Sequence, residues 1–286
     1  MKIDYLTKSA ISKFIDNALK EDIGDGDHTS LSSIPDKMED QAKLLVKGEG
    51  ILAGVALAEM IFKKVDKDLK LEVFIEDGKE VKTGEVAFIV KGKAQSILTS
   101  ERLVLNCMQR MSGIATYTKR MTDMIKGTRA QLLDTRKTTP NFRICEKWAV
   151  KIGGGENHRY GLYDMILLKD NHVDYAGGIK NAIESTQKYL KNLNKDLKIE
   201  IETRTIQEVR EVMEVGGVDV IMLDNMLPSM MLEALQIINK KYKTEASGGI
   251  TEKSIKEIAE TGVDYISVGA LTHSYQSLDL SLKAIN

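Results

Sequence analysis

The chain lacks several features that would narrow its function at once. It carries 41 Lys+Arg against 42 Asp+Glu, a formal charge of −1, which excludes a strongly basic nucleic-acid binder though not a local basic pocket. No stretch approaches the roughly 18 to 20 apolar residues that span a bilayer, so no membrane association is expected. Met1-Lys2-Ile3-Asp4 lacks the apolar core of a signal peptide, and a cytoplasmic location is expected. The only two cysteines, Cys107 and Cys145, lie 38 positions apart and form no C-x-x-C motif. Buried apolar thiols in a reducing compartment are expected of them. The four histidines, His28, His158, His172 and His273, show no close zinc-type pairing, and Asp25-Gly26-Asp27 lacks the glycine and glutamate offsets of a calcium loop.

What remains is an ordinary globular composition, 42% hydrophobic and 29% charged over 286 residues, enough for one large or two ordinary domains. The first third reads as α+β. A helix fits Lys8 to Glu21, and strands fit Gln41 to Val46, Ile51 to Ala53, Leu71 to Ile75 and Val86 to Val90, punctuated by glycines. A long helical pattern from Ser100 to Lys126 stops at Gly127. Six short apolar runs follow, each ending in polar or glycine residues: 131–134, 165–170, 199–202, 220–224, 244–247 and 265–269. Helical patterns at Thr205 to Val215 and Thr251 to Glu260, each opening on a threonine N-cap, lie between them. Gly217-Val218-Asp219-Val220-Ile221 and Gly262-Val263-Asp264-Tyr265-Ile266 repeat the same helix-to-strand joint 45 residues on. Repeated βα units predict a parallel sheet. The 174 residues from Gly113 fall short of the roughly 250 of an eight-stranded barrel. The expected fold is α/β: an N-terminal α/β sandwich domain over 1–112, an incomplete, about six-stranded βα barrel over 113–271, and a C-terminal helix over 272–286 packing back on the first domain.

In such barrels the strand C-termini carry the chemistry. Asp134-Thr135-Arg136-Lys137-Thr138 places a guanidinium fork and an ammonium at one strand end, suited to carboxylate or phosphate; elsewhere such a pair would be a solvated turn. Gly153-Gly154-Gly155-Glu156-Asn157-His158-Arg159 adds an imidazole and a guanidinium behind a glycine loop whose backbone can approach an anion. Leu168-Lys169-Asp170-Asn171-His172 brings another cation. From Arg136 to Lys169 there are seven Lys+Arg (Arg136, Lys137, Arg143, Lys147, Lys151, Arg159, Lys169) and three acids (Glu146, Glu156, Asp164), an excess of +4 that predicts a pocket for a small polyanion. Lys147 and Lys151 are expected on a helix surface. Glu200 and Glu202 share one strand face, and Asp224 ends the next strand. Such carboxylates can hold Mg²⁺ through hard oxygens, stabilise an oxocarbenium-like sugar, or form a buried ion-pair network. Ser247-Gly248-Gly249 and Gly269-Ala270-Leu271-Thr272-His273 are glycine turns of the kind that cradle phosphate at late barrel strands.

These strings, with Glu101-Arg102, Leu105-Asn106 and Ser112-Gly113-Ile114-Ala115-Thr116, resemble the quinolinate phosphoribosyltransferases, the carboxylating nicotinate-nucleotide pyrophosphorylases, in family order over almost the whole chain. The resemblance implies transfer of phosphoribose from phosphoribosyl pyrophosphate to quinolinate with decarboxylation, giving nicotinate mononucleotide, pyrophosphate and CO₂ in NAD biosynthesis, with Mg²⁺ and no organic cofactor. It implies that Thr135, Arg136, Lys137, His158, Arg159 and Lys169 bind the quinolinate carboxylates and neighbouring phosphates. Arg102 would join them from the partner subunit of a homodimer. Lys137 and Lys169 would be catalytic, with Glu202 and Asp224, which would also contact the ribose and its Mg²⁺. Ser247, Gly248, Gly249, Val268, Gly269, Ala270 and His273 would hold phosphate. Of the acid pair, spacing to the next helix favours Glu202 over Glu200 as the sugar-facing residue. Asn141 after the proline and Arg204 after Glu202-Thr203 depart from the family pattern. A paralogue encoded with molybdate transport, a nicotinate phosphoribosyltransferase without decarboxylation, and a non-catalytic anion-binding protein are the competing readings.

Overall fold

The computed structural model describes residues 4–285. In chain order the elements begin with α1 (Lys8–Ile23), α2 (His28–Ser33), β1 (Glu39–Val46), β2 (Gly50–Ile51), α3 (Val55–Val65), β3 (Lys70–Val73), β4 (Glu80–Val81), β5 (Val86–Lys93) and α4 (Ala94–Met124). Then follow β6 (Gln131–Leu133), α5 (Arg143–Ile152), β7 (Ile166–Leu168), α6 (Asp170–Ala176), α7 (Ile179–Leu193), β8 (Ile199–Thr203) and α8 (Ile206–Val215). The last are β9 (Val220–Asp224), α9 (Pro228–Ile238), β10 (Lys243–Ser247), α10 (Ile255–Glu260), β11 (Tyr265–Ser267), α11 (Ala270–His273) and β12 (Leu280–Ala284).

Two compact units emerge. One holds the chain up to Lys119, Lys137–Gly154 and everything from Ala270; the other holds Arg120–Arg136 and Gly155–Gly269. The chain passes between them four times, at Lys119-Arg120, at Arg136-Lys137 after β6, at Gly154-Gly155, and at Gly269-Ala270 after β11.

The first unit is built on a four-stranded antiparallel sheet in the order β12-β1-β5-β3. Strand β1 buries alternate residues, with Ala42, Leu44 and Val46 inside, as period-2 geometry requires of a one-faced sheet. Phe88 of β5 meets Phe62 of α3 edge to face, centroids 5.9 Å apart, and both rings are fully buried. Asp27 caps α2 by accepting from the Ser30 amide and also accepts from Thr99 Oγ1, both at 3.0 Å, which gives the glycine-rich 24–29 loop a structural role. The C-terminal segment is a strand where a helix is expected. Leu278, Leu280 and Leu282 are buried at alternate positions, and β12 pairs antiparallel with β1, so its two-residue period is satisfied by an edge some 230 positions earlier. Asn286 of that segment lies outside the described residues. Two glycines are fixed by close backbone approach: a Cβ on Gly113 would meet the Gln276 carbonyl at 2.3 Å, and one on Gly153 the Ala115 carbonyl at 2.5 Å. Cys107 and Cys145 are free thiols in the core.

The second unit contains all six expected strands as one parallel sheet, ordered β6-β11-β10-β9-β8-β7, with no ladder between β6 and β7 among the described residues. Its strands are largely buried, and β9 runs Val-Ile-Met-Leu before Asp224, whereas β8 and β10 carry the buried Glu200 and Glu245 among their residues. Helix α8 opens at Thr205, whose hydroxyl accepts from the Glu208 amide. The helix after β10 begins at Ile255, four residues later than Thr251; Thr251 instead sits in a turn, its amide donating to Ser254 Oγ.

Candidate functional site

The C-terminal ends of the parallel strands gather the predicted side chains of the second unit, and their spacing along each strand sets their depth. Glu200 and Glu202 lie on one face of β8, as period 2 demands, but differ in environment. Glu200 is 1% exposed, whereas Glu202, one pleat nearer the strand end, is partly open and has the Lys169 ammonium 3.6 Å away. Burial first, then the neighbouring Asp224 carboxylate, raise the pKa of Glu202 against the pull of Lys169. Asp224 accepts from Asn225 Nδ2 at 2.6 Å, and Asn225 itself takes positive φ (53°) with its amide donating to the Ser247 carbonyl. The Asn225 side chain fills the space beside Gly248 so closely that a Cβ there would stand 2.3 Å from Asn225 Oδ1, and with φ at 94° the Ser247-Gly248-Gly249 turn needs glycine at its second position. Gly249 (φ 60°) has nothing within 4 Å of its would-be Cβ.

Below this rim lies a buried polar cluster that only part of the sequence reading anticipates. His158 Nε2 is 2.9 Å from Glu200 Oε2 and 3.4 Å from Glu245 Oε2, with Glu245 only 1% exposed. His158 Nδ1 accepts from the Arg159 amide at 2.8 Å, so both ring nitrogens are engaged. Burial opposes a charged imidazole, but the hydrogen bonds and charges of Glu200 and Glu245 outweigh it and push His158 up to about 10. Burial and the Glu245 charge likewise push Glu200 up to about 7 against the pull of His158. The Nδ1 lone pair that accepts the Arg159 amide leaves Nε2 to carry the proton that faces the two carboxylates. Glu245 is absent from the sequence expectations because Lys243-Thr244-Glu245-Ala246-Ser247 matches no motif; the usable signal is the pleat, which sets Glu245 in register with Met222 and Met222 with Glu202, on one sheet face.

The loop 157–159 is held from a second side. Asp134, fully buried at the end of β6, accepts from the His158 amide at 3.0 Å and from Asn157 Nδ2 at 2.5 Å. Arg159 then directs one guanidinium nitrogen to the Met165 carbonyl at 3.2 Å. Burial and the nearby Arg136 guanidinium both lower its pKa. Arg136 Nε is buried with no hydrogen-bond partner. Thr135 is partly buried and Lys169 is exposed at the head of α6, where its amide donates to His172 Nδ1. Two guanidiniums within electrostatic reach, one with an unused buried donor, have the chemistry to take a carboxylate.

Of the remaining expected residues in this unit, Val268 has its side chain in the core and its amide donating to the Leu133 carbonyl, and Gly269 follows it at the end of β11. Arg204 is taken up by Glu208 and Asp174 at 2.8 and 3.4 Å.

In the first unit, a cavity of about 610 Å³ is lined by Arg110, Lys137, Thr138, Thr139, His273 and Tyr275, among others. Lys137 and His273 are therefore brought together, with the Thr272 hydroxyl donating to the Lys137 carbonyl at 2.8 Å. Arg110 was not expected here. It lies over the Phe142 and Tyr275 rings at 5.4 and 5.7 Å, donates to Thr139 Oγ1, and stands 3.7 Å from the fully buried Glu146. Its signal in the sequence, Gln109-Arg110 within α4, is indistinguishable from a helix-surface arginine. Ala270 opens the four-residue α11 that ends in His273, and Arg102 is exposed on α4. Lys147, expected on a helix surface, is fully buried, because α5 turns Ile144, Cys145, Glu146 and Lys147 all inward.

Comparison with known proteins gives the family of the chain. Residues 27–112 match the family profile "Quinolinate phosphoribosyl transferase, N-terminal domain" and residues 114–283 the corresponding C-terminal domain. The chain is 50% identical over 281 residues to quinolinate phosphoribosyltransferase [decarboxylating] 1b of Nicotiana tabacum, covering 93% of this chain and 80% of that one. It is 41% identical over 272 residues to the probable nicotinate-nucleotide pyrophosphorylase [carboxylating] of Bacillus subtilis, covering 95% and 92%. Among solved structures, the nicotinate-nucleotide pyrophosphorylase of Francisella tularensis superposes with a TM-score of 0.90 at 36% identity, over 100% of this chain and 99% of that one. Two matching domains and relatives of this identity over nearly the full length place the chain in the quinolinate phosphoribosyltransferase family.

Proposed function

We propose that the chain transfers the phosphoribosyl group of phosphoribosyl pyrophosphate to the ring nitrogen of quinolinate and releases pyrophosphate and CO₂, yielding nicotinate mononucleotide for NAD biosynthesis. The observation that carries this reading is the Arg136–Arg159 pair: two guanidiniums within electrostatic reach of each other, with the buried Arg136 Nε donor unused, suited to a carboxylate of a dianionic substrate. We assign Thr135, Lys137, His158 and Lys169 to the same substrate anions, with Lys137 and Lys169 as the cations among them. Ser247, Gly248, Gly249, Val268, Gly269, Ala270 and His273 serve the phosphates.

The chemistry follows from charge placement. As the C1–pyrophosphate bond breaks, positive charge grows on the ribose, and Glu202 and Asp224 at adjacent strand ends stabilise it. Attack by the pyridine nitrogen then makes the ring cationic. The bond from C2 to its carboxylate breaks with the electron pair kept at C2, beside the cationic nitrogen, and a proton replaces the CO₂. The ribosylated ring is its own electron sink, so no organic cofactor is needed. Lys137 and Lys169 counter the negative charge of leaving pyrophosphate and substrate carboxylate.

A divalent cation fits the residues present. Glu202 and Asp224 offer two oxygen donors and repel each other, and Mg²⁺ takes one or two carboxylates together with substrate phosphates. When bound, it would neutralise the pyrophosphate. We further assign a homodimer in which Arg102 reaches the partner's site, and a cytoplasmic location; among the described residues no helix is long and apolar enough to cross a membrane.

Purified protein with phosphoribosyl pyrophosphate and Mg²⁺, supplied with quinolinate or nicotinate in parallel, tests the reading. Pyrophosphate and CO₂ in equal amounts from quinolinate alone are expected. Turnover of nicotinate and none of quinolinate would overturn it.

A further inference from the structure

The cluster beneath the strand ends has an oddity that anion binding alone leaves unexplained. Glu200 and Glu245 come from β8 and β10, are each about 1% exposed, and spend one oxygen on the same ring nitrogen, His158 Nε2. Their other oxygens, Glu200 Oε1 and Glu245 Oε1, are buried without a partner. Two carboxylates in one dry pocket beneath a site for a dianion oppose substrate binding electrostatically, and buried unsatisfied oxygens are costly. A single acceptor would suffice to fix the tautomer of a histidine. What the second carboxylate adds is direction: an Nε2–H held between two oxygens on different strands cannot swing about the Cβ–Cγ bond toward either one.

The ring is in turn the link to Arg159. Its Nδ1 accepts from the Arg159 amide at 2.8 Å, which fixes the peptide that leads into Arg159. Asp134 holds the preceding peptide, accepting from the His158 amide at 3.0 Å. The Arg159 guanidinium is held by the Met165 carbonyl at 3.2 Å, within the repulsive field of Arg136, a placement that a loose loop would not favour.

We propose that Glu245, acting with Glu200 through the His158 ring, is a positioning residue that aims Arg159 at a carboxylate of the substrate. The inference rests on the quinolinate reading given above. Glu245 touches no substrate in this assignment; its contribution is to keep Arg159 in place before the anion arrives, so that ordering is not charged against binding.

The test is Glu245→Gln, which keeps the shape of the side chain and removes its charge, assayed by steady-state kinetics with each substrate varied in turn. The KM for quinolinate is expected to rise about tenfold while the KM for phosphoribosyl pyrophosphate stays within about twofold, a split that general loosening of the fold would not produce. In an Arg159→Lys background, adding Glu245→Gln is expected to change the quinolinate KM by less than about twofold, because both substitutions act on one interaction. His158→Asn is the second variant: its short amide can still accept from the Arg159 amide but falls short of both carboxylates, and it is expected to show the same split. Wild-type turnover of quinolinate with both variants kinetically normal, or equal effects on the two substrates, overturns the positioning role and leaves the family reaction standing. A wild type that consumes nicotinate and not quinolinate overturns the reaction, and the positioning role with it.

Discussion

Asp134 offers a measurable handle on how the anion-binding loop is held. Its carboxylate is fully buried and accepts from two donors of different kinds, the His158 main-chain N–H at 3.0 Å and the Asn157 side-chain amide at 2.5 Å. In Asp134→Asn the side chain keeps its volume but has one oxygen for two donors. The new NH₂ must face either the Asn157 amide or the His158 N–H, a donor against a donor. One charge-assisted bond is lost, about 1.5–3 kcal/mol, and one buried donor is left unsatisfied, about 1–3 kcal/mol. Rotation of Asn157 can relieve part of the second term, since its own amide oxygen could turn toward the new donor. A net loss of about 3 kcal/mol is therefore expected, a large share of the roughly 5–15 kcal/mol that holds a typical domain together.

Urea unfolding followed by far-ultraviolet circular dichroism measures it. With a slope of about 3 kcal/mol per M, the midpoint should fall by about 1 M at unchanged slope. Asp36→Asn is the control: Asp36 is 79% exposed and pairs with Lys93 at 2.6 Å on the surface, and its loss should move stability by less than about 0.5 kcal/mol. The same Asp134 variant should bind quinolinate more weakly, because the main chain that carries Arg159 loses an anchor. A midpoint within about 0.2 M of wild type would refute the claim that this carboxylate holds the loop.

Three further outcomes follow from other parts of the molecule. Lys137→Ala and Lys169→Ala should each lower kcat/KM for quinolinate by at least about 100-fold while the melting temperature hardly moves, since both side chains are exposed and Lys169 shares only a half-exposed pair with Glu202; kinetics and calorimetry on the same preparations check both halves. Gly113→Ala should destabilise the protein by about 2 kcal/mol or more, because its Cβ would meet the Gln276 carbonyl at 2.3 Å and backbone, not a flexible side chain, must move; chemical denaturation reads the loss. For Asp264, burial alone would raise the pKa, but Lys243, Arg129 and Thr244 outweigh it and hold it below its ordinary 3.8. A depressed acid stabilises above its unfolded pKa, so that contribution is complete above about pH 4 and lost as pH falls through the folded value. Melting temperature against pH should therefore fall less steeply between about pH 4.5 and 2.5 in Asp264→Asn than in wild type.

The parts of the fold that the residues announce are those whose cause is local. All six parallel strands are legible as short runs between helical patterns, apolar in β7 and β9 because strands covered on both faces favour apolar residues but carrying buried glutamates in β8 and β10, and Thr205 is visible as a cap because capping needs only the next turn. The misread segments have distant causes. Leu280-Ser281-Leu282 is compatible with a short helix until β1 supplies an edge, and nothing near Lys147 in the sequence says that α5 buries three of its four first residues and the lysine with them. The site divides along the same line. The kinds of group at the strand ends, cations first, carboxylates next and glycine turns last, are legible because each sits in a short string with its own chemistry. Depth is not. Glu200 and Glu202 are two letters apart and chemically alike, yet one pleat of β8 sends the first to the His158 ring and leaves the second at the rim with Lys169. Glu245 completes that ring's clamp from a strand two places away in the sheet, with Met222 of β9 between it and Glu202. A residue that acts through a histidine and not on the substrate has no string to betray it: its function exists only once three strands lie side by side.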